Sequence, residues 1–296
     1  MKPAALVLWL GLLVGASLHN AVGAQEVTYT GALFYAGGSY IFDRRSDAVY
    51  LSNGLSFSWG EFDVGVSVPV ITQNGGVVTT VAQGIRLPTG GTENETIAGR
   101  RAGGTVGTRK GDSVTSVPVD STVVSFASDF ATHVGDPTVT ASGQLHSDTG
   151  ALRSIRFQAA AKAPLNDLDS GVGSGAWDFG AGASVVGAAG SVLLFVDAVY
   201  WWLGNLPDLV LTDGLSYGLG ASTGAFSGRG SVLALLSGMT TSIETVDPPI
   251  SIALSLSRSV GTRALVSGGF GVGLTESAPS FSAQVGWSIR FGAEPG

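Results

Sequence analysis

The sequence predicts an all-β chain: a transmembrane, up-and-down antiparallel β-barrel of about twelve strands with one long extracellular loop. Three observations predict it. Apolar and polar residues alternate with a period of two along a dozen segments. Charge is scarce, although no helix-length apolar run follows the N-terminal leader. Short and long connections alternate between the segments.

Only 12% of the 296 residues are charged, against about a quarter in ordinary soluble domains. Hydrophobic residues stand at an unremarkable 44%, and Gly is abundant at 45. Gly, Ser, Thr and Ala therefore take the place of charge, and mean hydropathy is positive at +0.35. The chain has no Cys, which excludes disulfides and thiolate metal sites. We expect neither metal nor cofactor. A net charge of −7 gives no basic footprint for nucleic acid.

Met1-Lys2, an apolar run from Ala4 to Ala16 and the small residues "AVGA" before Gln25 have the order of a secretory signal peptide cleaved after Ala24. The run is shorter than the roughly 18–20 residues of a spanning helix. The expected organisation is a leader over 1–24 and a barrel over 25–296. Later, Val192–Leu203 is the best apolar candidate, and Asp197 interrupts it.

"FDVGVSVPVIT" (62–72) puts Phe62, Val64, Val66, Val68 and Val70 on one face, with Asp63, Gly65, Ser67 and Pro69 on the other. "ISIALSLS" (250–257) sets Ile and Leu against Ser and Ala in the same way. That is strand periodicity, and a soluble sandwich would carry more charge on its solvent face. Twelve segments follow the pattern: 29–42, 48–59, 62–72, 135–146, 152–164, 176–187, 192–203, 211–222, 230–240, 249–258, 263–274 and 280–291. Most approach the roughly 9–11 residues with which a tilted strand crosses a bilayer.

After the second, fourth, sixth, eighth and tenth segments the chain turns within a few residues. The other connections tend to be longer, and 73–134 is far the longest. Bacterial outer-membrane barrels have short periplasmic turns and longer extracellular loops, so both termini are expected in the periplasm. Aromatics on the apolar rows then collect at two levels. Trp59, Phe62 and Phe291 (with Ile289) mark the periplasmic ends, and Trp177, Phe179, Tyr200, Trp202 and Phe281 the opposite ends. Two such girdles suit two membrane–water interfaces. Closure into a barrel leaves no backbone edge unpaired in lipid.

The other row faces the lumen. It holds Asp63, Gln144, His146, Arg156, Gln158, Lys162, Asp178, Asp197, Trp201, Gln284 and Arg290 among Gly, Ser, Thr and Ala. Hairpin register sets Lys162 almost opposite Asp178 near the extracellular mouth. This pair is either a structural tie or an element of solute selection. Leu193, Phe195, Val199 and Trp201 make an apolar wall around Asp197, suited to an inserted loop or to a hydrophobic solute. The long loop contains "RLPTGGTENETIAGRRAGGTVGTRKGD" (86–112), and partial folding into the lumen would narrow the pore.

Catalysis has little support. The histidines beyond the leader are His133, read as lying in the long loop, and His146, on the inward row. A barrel phospholipase would need Ser and His at the lipid boundary. "GVGSG" (171–175) and "GGFGVG" (268–273) lack the strand-to-helix setting of nucleotide loops, and "NET" (94–96) matches a glycosylation acceptor by pattern only.

"LSNGLSFSWGEFDVGVSVPVI" (51–71), "VGDPTVTASGQL" (134–145) and "FQAAAKAPLNDLDSGVGSGAWDFGAGASV" (157–185) together resemble the bacterial outer-membrane transporters of the meta-pathway phenol degradation family. The last stretch is similar to that family's strand–loop–strand, where Lys-x-Pro precedes an acidic, Gly-rich loop and an Asp-aromatic-Gly restart. Pro164-Leu165-Asn166-Asp167 stands where the family has Pro-Thr-Gly-Asp, and the long loop matches nothing in it. The resemblance implies an outer-membrane barrel that takes up hydrophobic or aromatic compounds, and it carries over no substrate residues.

These readings point to a passive channel or transporter for small solutes in the outer membrane, contacting lipid and needing no cofactor. The alternative is a non-conducting structural or surface-interaction barrel. "QVGWSIRF" (284–291) also resembles the C-terminal signal read by the barrel-assembly machinery, with Gly two residues after a polar residue and Ile289 and Phe291 beyond. Five residues, "GAEPG", follow it.

Overall fold

The computed structural model describes residues 26–42, 45–74, 78–89, 130–146, 150–166, 172–205, 210–240, 243 and 246–292. Hydrogen bonding between successive strands builds the wall. Around the ring run β1 (Glu26–Gly38), β2 (Ser46–Trp59) and β3 (Phe62–Gln73). A two-strand hairpin, β4 (Thr79–Val81) and β5 (Ile85–Leu87), lies between β3 and the next stave. The wall resumes with β6 (Ala131–Val134) and β7 (Thr138–His146), then β8 (Leu152–Lys162), β9 (Asp178–Ala189) and β10 (Val192–Trp202). It is completed by β11 (Gly214–Ala225), β12 (Gly230–Met239), β13 (Ile250–Val260), β14 (Ala264–Gly273) and β15 (Phe281–Phe291).

Each stave pairs antiparallel with its neighbours in the wall, β4 pairs with β5 apart from it, and β1 closes on β15 with Val27 opposite Phe291. β6 and β7 are two parts of one stave, because both pair with β3: Val134 lies opposite Val70 and Gly143 opposite Phe62. Counted that way the barrel has twelve strands. Closure is what the backbone demands, since an open edge in lipid would leave N–H and C=O groups without partners.

The stave breaks at 135–137 for a local reason. Pro69 in β3 and Pro137 lack the N–H a ladder needs. Gly135 N–H bends to Pro69 O at 2.7 Å, and a Cβ on Gly135 would meet the Pro69 ring at 2.8 Å. At the opposite rim, Gly60 (φ 61°) and Gly190 (φ 62°) open two-residue hairpins in which the first position needs positive φ, a conformation glycine adopts at little cost.

Most segment boundaries shift by one to a few residues from the sequence expectation, as where 211–222 becomes Gly214–Ala225, and two of the shifts change what a residue does. The first strand runs Glu26–Gly38 rather than 29–42. Beyond Gly38 the chain leaves the wall, and Tyr40 adopts a left-handed φ of 49°. Tyr40, Ile41 and Phe42 are buried, so this apolar triplet serves the interior and not the bilayer face. The fourth stave reaches back to Ala131, which places His133 in the wall opposite Ile71 instead of in the loop.

Alternation sorts the faces. Ile252, Leu254 and Leu256 are exposed on the outside of β13, whereas Ser251 and Ala253 face an internal cavity. The buried core sits inside the barrel at the rim of long connections. It comprises Tyr40–Phe42, hairpin residues Val78, Val81, Ala82 and Leu87, and Val199, Trp201, Leu203, Leu211, Met239, Ile243 and Val246. Of the segment 73–134, residues 78–89 therefore form a plug, while residues 90–129 lie outside the described residues.

Candidate functional site: the barrel lumen

Three levels make up the lumen. At the long-connection rim, the hairpin is fastened to both sides of the wall. On one side Arg86 Nη1 donates to Ala36 O of β1 at 3.2 Å. The Arg86 guanidinium lies 5.2 Å from the ring centre of Tyr40 and 5.4 Å from that of Tyr50. Those two faces stabilise a cation removed from water, by about 2 kcal/mol for a desolvated pair. Burial pushes the Tyr40 phenol up to about 12, so it stays neutral beside the charge.

On the far side the hairpin turn meets a carboxylate. Ala82 N–H donates to Asp178 Oδ2 at 2.8 Å, and Gly204 N–H donates to Asp178 Oδ1 at 3.0 Å. The β8–β9 register puts Lys162 opposite Asp178, and Lys162 Nζ lies 3.1 Å from Asp178 Oδ2. Lys162 Nζ also lies 3.0 Å from Asp136 Oδ2 and donates to Ser174 Oγ at 2.7 Å. Asp136 Oδ1 in turn accepts the backbone N–H groups of Leu165 and Asn166. The side chains of Lys162 and Asp178 are 2% and 0% exposed. They thus stand on the inward row but inside a dry wall-to-plug joint, away from any open channel. Charges that deep persist because each is paired and hydrogen-bonded.

Below the plug lies a cavity of about 440 Å³. Its upper boundary includes Gln83, Gly84, Ile85 and Arg86 of the hairpin, and its sides include Phe34, Asp197, Trp201, Leu235, Ser237 and Gln284. Trp201 is otherwise enclosed, and its Nε1–H donates to Ser216 Oγ at 3.0 Å.

Toward the short-turn rim the inward residues form a wet polar network. Arg156 Nη1 pairs with Asp63 Oδ2 at 2.5 Å and donates to Ser142 Oγ at 2.8 Å. Ser58 Oγ donates to Asp63 Oδ1 at 2.6 Å, and Arg156 Nη2 donates to Gln144 Oε1. Arg156 and Asp63 are 37% and 31% exposed. Gln158, half-buried, shares this inward row and lies opposite Ser142. Arg290 is exposed at the rim itself, 3.9 Å from Glu26 and bonded to Thr262 O.

The residues expected at the girdles all stand exposed on the outer face: Trp59, Phe62, Trp177, Phe179, Tyr200, Trp202, Phe281 and Phe291. Trp177 stacks on Phe179 and Tyr200 meets Trp202 edge-on. Sequence reasoning missed Asp136, Arg86 and the inward aromatics Phe34 and Tyr50. Phe34 and Tyr50 fall on the inward parity once the register of β1 and β2 is known, and bulky rings there signal a packed interior. Among the described residues, no three His, Cys, Asp or Glu side chains gather as a metal site would require.

No family model and no curated protein matches this chain. Among solved structures, an outer membrane channel from Pseudomonas putida F1 is similar at a TM-score of 0.64 and 10% identity, over 92% of this chain and 97% of that one. The KdgM porin (TM-score 0.44, 8% identity, 90% and 99% covered) and outer membrane phospholipase A from Escherichia coli (0.41, 11%, 89% and 89%) are looser matches. At such identities the likeness is one of fold, and that fold is the closed outer-membrane barrel.

Proposed function

We propose that this chain is an outer-membrane channel through which small solutes, hydrophobic or aromatic ones included, pass down their gradients. The observation that carries the reading is the cavity beneath the plug: it is lined by inward residues of the wall and bounded above by the hairpin. Passage needs no cofactor or catalytic group. The short-turn rim faces the periplasm and the plugged rim the exterior. The leader 1–24 directs export, and 284–291 engages the barrel-assembly machinery. Lipid covers the outer face between the two aromatic girdles.

Planar-bilayer recording tests this. We expect discrete conductance steps from folded protein, and larger ones when residues 78–89 are replaced by a short Gly-Ser linker. Absence of current from correctly folded protein would sink the channel reading. It would favour the second one, a closed barrel serving as a structural or surface-interaction protein. That alternative is supported by the fastening of the plug on both sides through Arg86 and Asp178.

A further inference from the structure

We infer that the cavity beneath the plug is a binding site for a small organic cation, an ammonium group on an apolar, ring-sized body. The inference rests on the lumen being a solute path and names the solute chemistry that path prefers. Its first support is Asp197, which lies midway along β10 on the inward row and lines the cavity. Among the described residues no hydrogen bond or ion pair ends on its carboxylate. Gly218 lies across the register from Asp197, and a Cβ there would collide with the carboxylate. Room is thus kept for the carboxylate in the wall.

An ionisable group at membrane depth ordinarily acquires a partner or marks a solute path. The other carboxylates of the wall have partners: Asp178 has Lys162, and Asp63 has Arg156. Arg86 also borders the cavity; its guanidinium is held against Tyr40 and Tyr50, with Nη1 bonded to Ala36 O and Nε and Nη2 buried without a hydrogen-bond partner among the described residues. No ion pair among the described residues joins Arg86 to Asp197. The remaining lining adds the body of the ligand. Phe34 and Leu235 offer apolar surface, and Ser237 and Gln284 offer neutral polar atoms. A volume of about 440 Å³ falls in the range of small-molecule pockets, about 300–1,000 Å³.

The test compares three probes of nearly one shape: benzylamine, benzyl alcohol and benzoate. Calorimetric titration into the folded full barrel in detergent reads binding without requiring current. We expect benzylamine to bind about fivefold tighter than benzyl alcohol, the upper range for one partly hydrated ion pair, and benzoate to bind least. In Asp197→Asn the amine preference should vanish while benzyl alcohol affinity stays the same, and Asp197→Glu should restore it. Equal affinities for amine and alcohol in the wild type would overturn the assignment, whatever the variants do. So would no binding at all, or a preference surviving Asp197→Asn. An amine preference without bilayer current would instead overturn the channel reading and leave the site standing.

Discussion

Two ion-pair systems on the inward row of the barrel sit in opposite solvents. Asp136, Lys162 and Asp178 are locked between wall and plug with almost no exposure. Asp63 and Arg156, toward the other rim, keep about a third of their surface in the lumen. The groups are chemically alike, so the difference lies in what surrounds them. In the dry joint, loss of one partner strands the others in a low dielectric. In the wet network, water replaces whatever is lost. The first system fixes structure, and the second sets the electrostatic character of the lumen toward the short-turn rim.

Asp178→Ala gives the contrast its hardest test. It removes a partner of Lys162 and orphans the N–H groups of Ala82 and Gly204. We expect a loss of about 3–5 kcal/mol, read as a lower urea midpoint in detergent, together with noisier, larger currents as the turn of the hairpin comes free. Currents and unfolding like those of the wild type would show that the joint does not hold the plug. Next comes Lys162→Met, which leaves two carboxylates facing one another. It should cost a similar amount, and the same urea series measures this.

Arg86→Met should have a smaller effect, about 2 kcal/mol, by removing the cation from between the Tyr40 and Tyr50 rings. It should loosen the plug from the β1–β2 side alone, which protease accessibility near residues 78–89 would report. The smallest change in stability is expected from Asp63→Asn, within about 1 kcal/mol once solvent screening is counted. Its signature lies elsewhere: reversal potentials in a salt gradient should move toward anions, because Arg156 keeps its charge. A large stability loss there would erase the distinction between the two systems.

The sequence made the wall readable and left the interior obscure, and the reason is physical. Lipid outside and water inside force a period of two on each stave, so Phe62 to Val70 and Ile250 to Leu256 declare their faces without knowledge of partners. Adjacent staves in register also bring Lys162 opposite Asp178. No such rule governs the plug. Thr79–Val81 is three residues long, too short to show a period, and Arg86 sits in a Gly- and Thr-rich stretch that reads as a polar loop. Tyr40-Ile41-Phe42 has no alternation of its own, and in the sequence it reads as the end of the first strand. Parity told which way Asp197 and Trp201 face. It could not tell that one ring would be walled in while one carboxylate bordered open space, since that depends on where a distant hairpin lands.

The chain leaves the wall for the plug at Gln73 and returns to it at Ala131, and both points lie at the end of the barrel opposite the short turns. A force along the barrel axis loads the Arg86 and Asp178 fastenings together, because they hold opposite sides of one hairpin. The lock is therefore indifferent to direction: force from either mouth has to undo the same two fastenings.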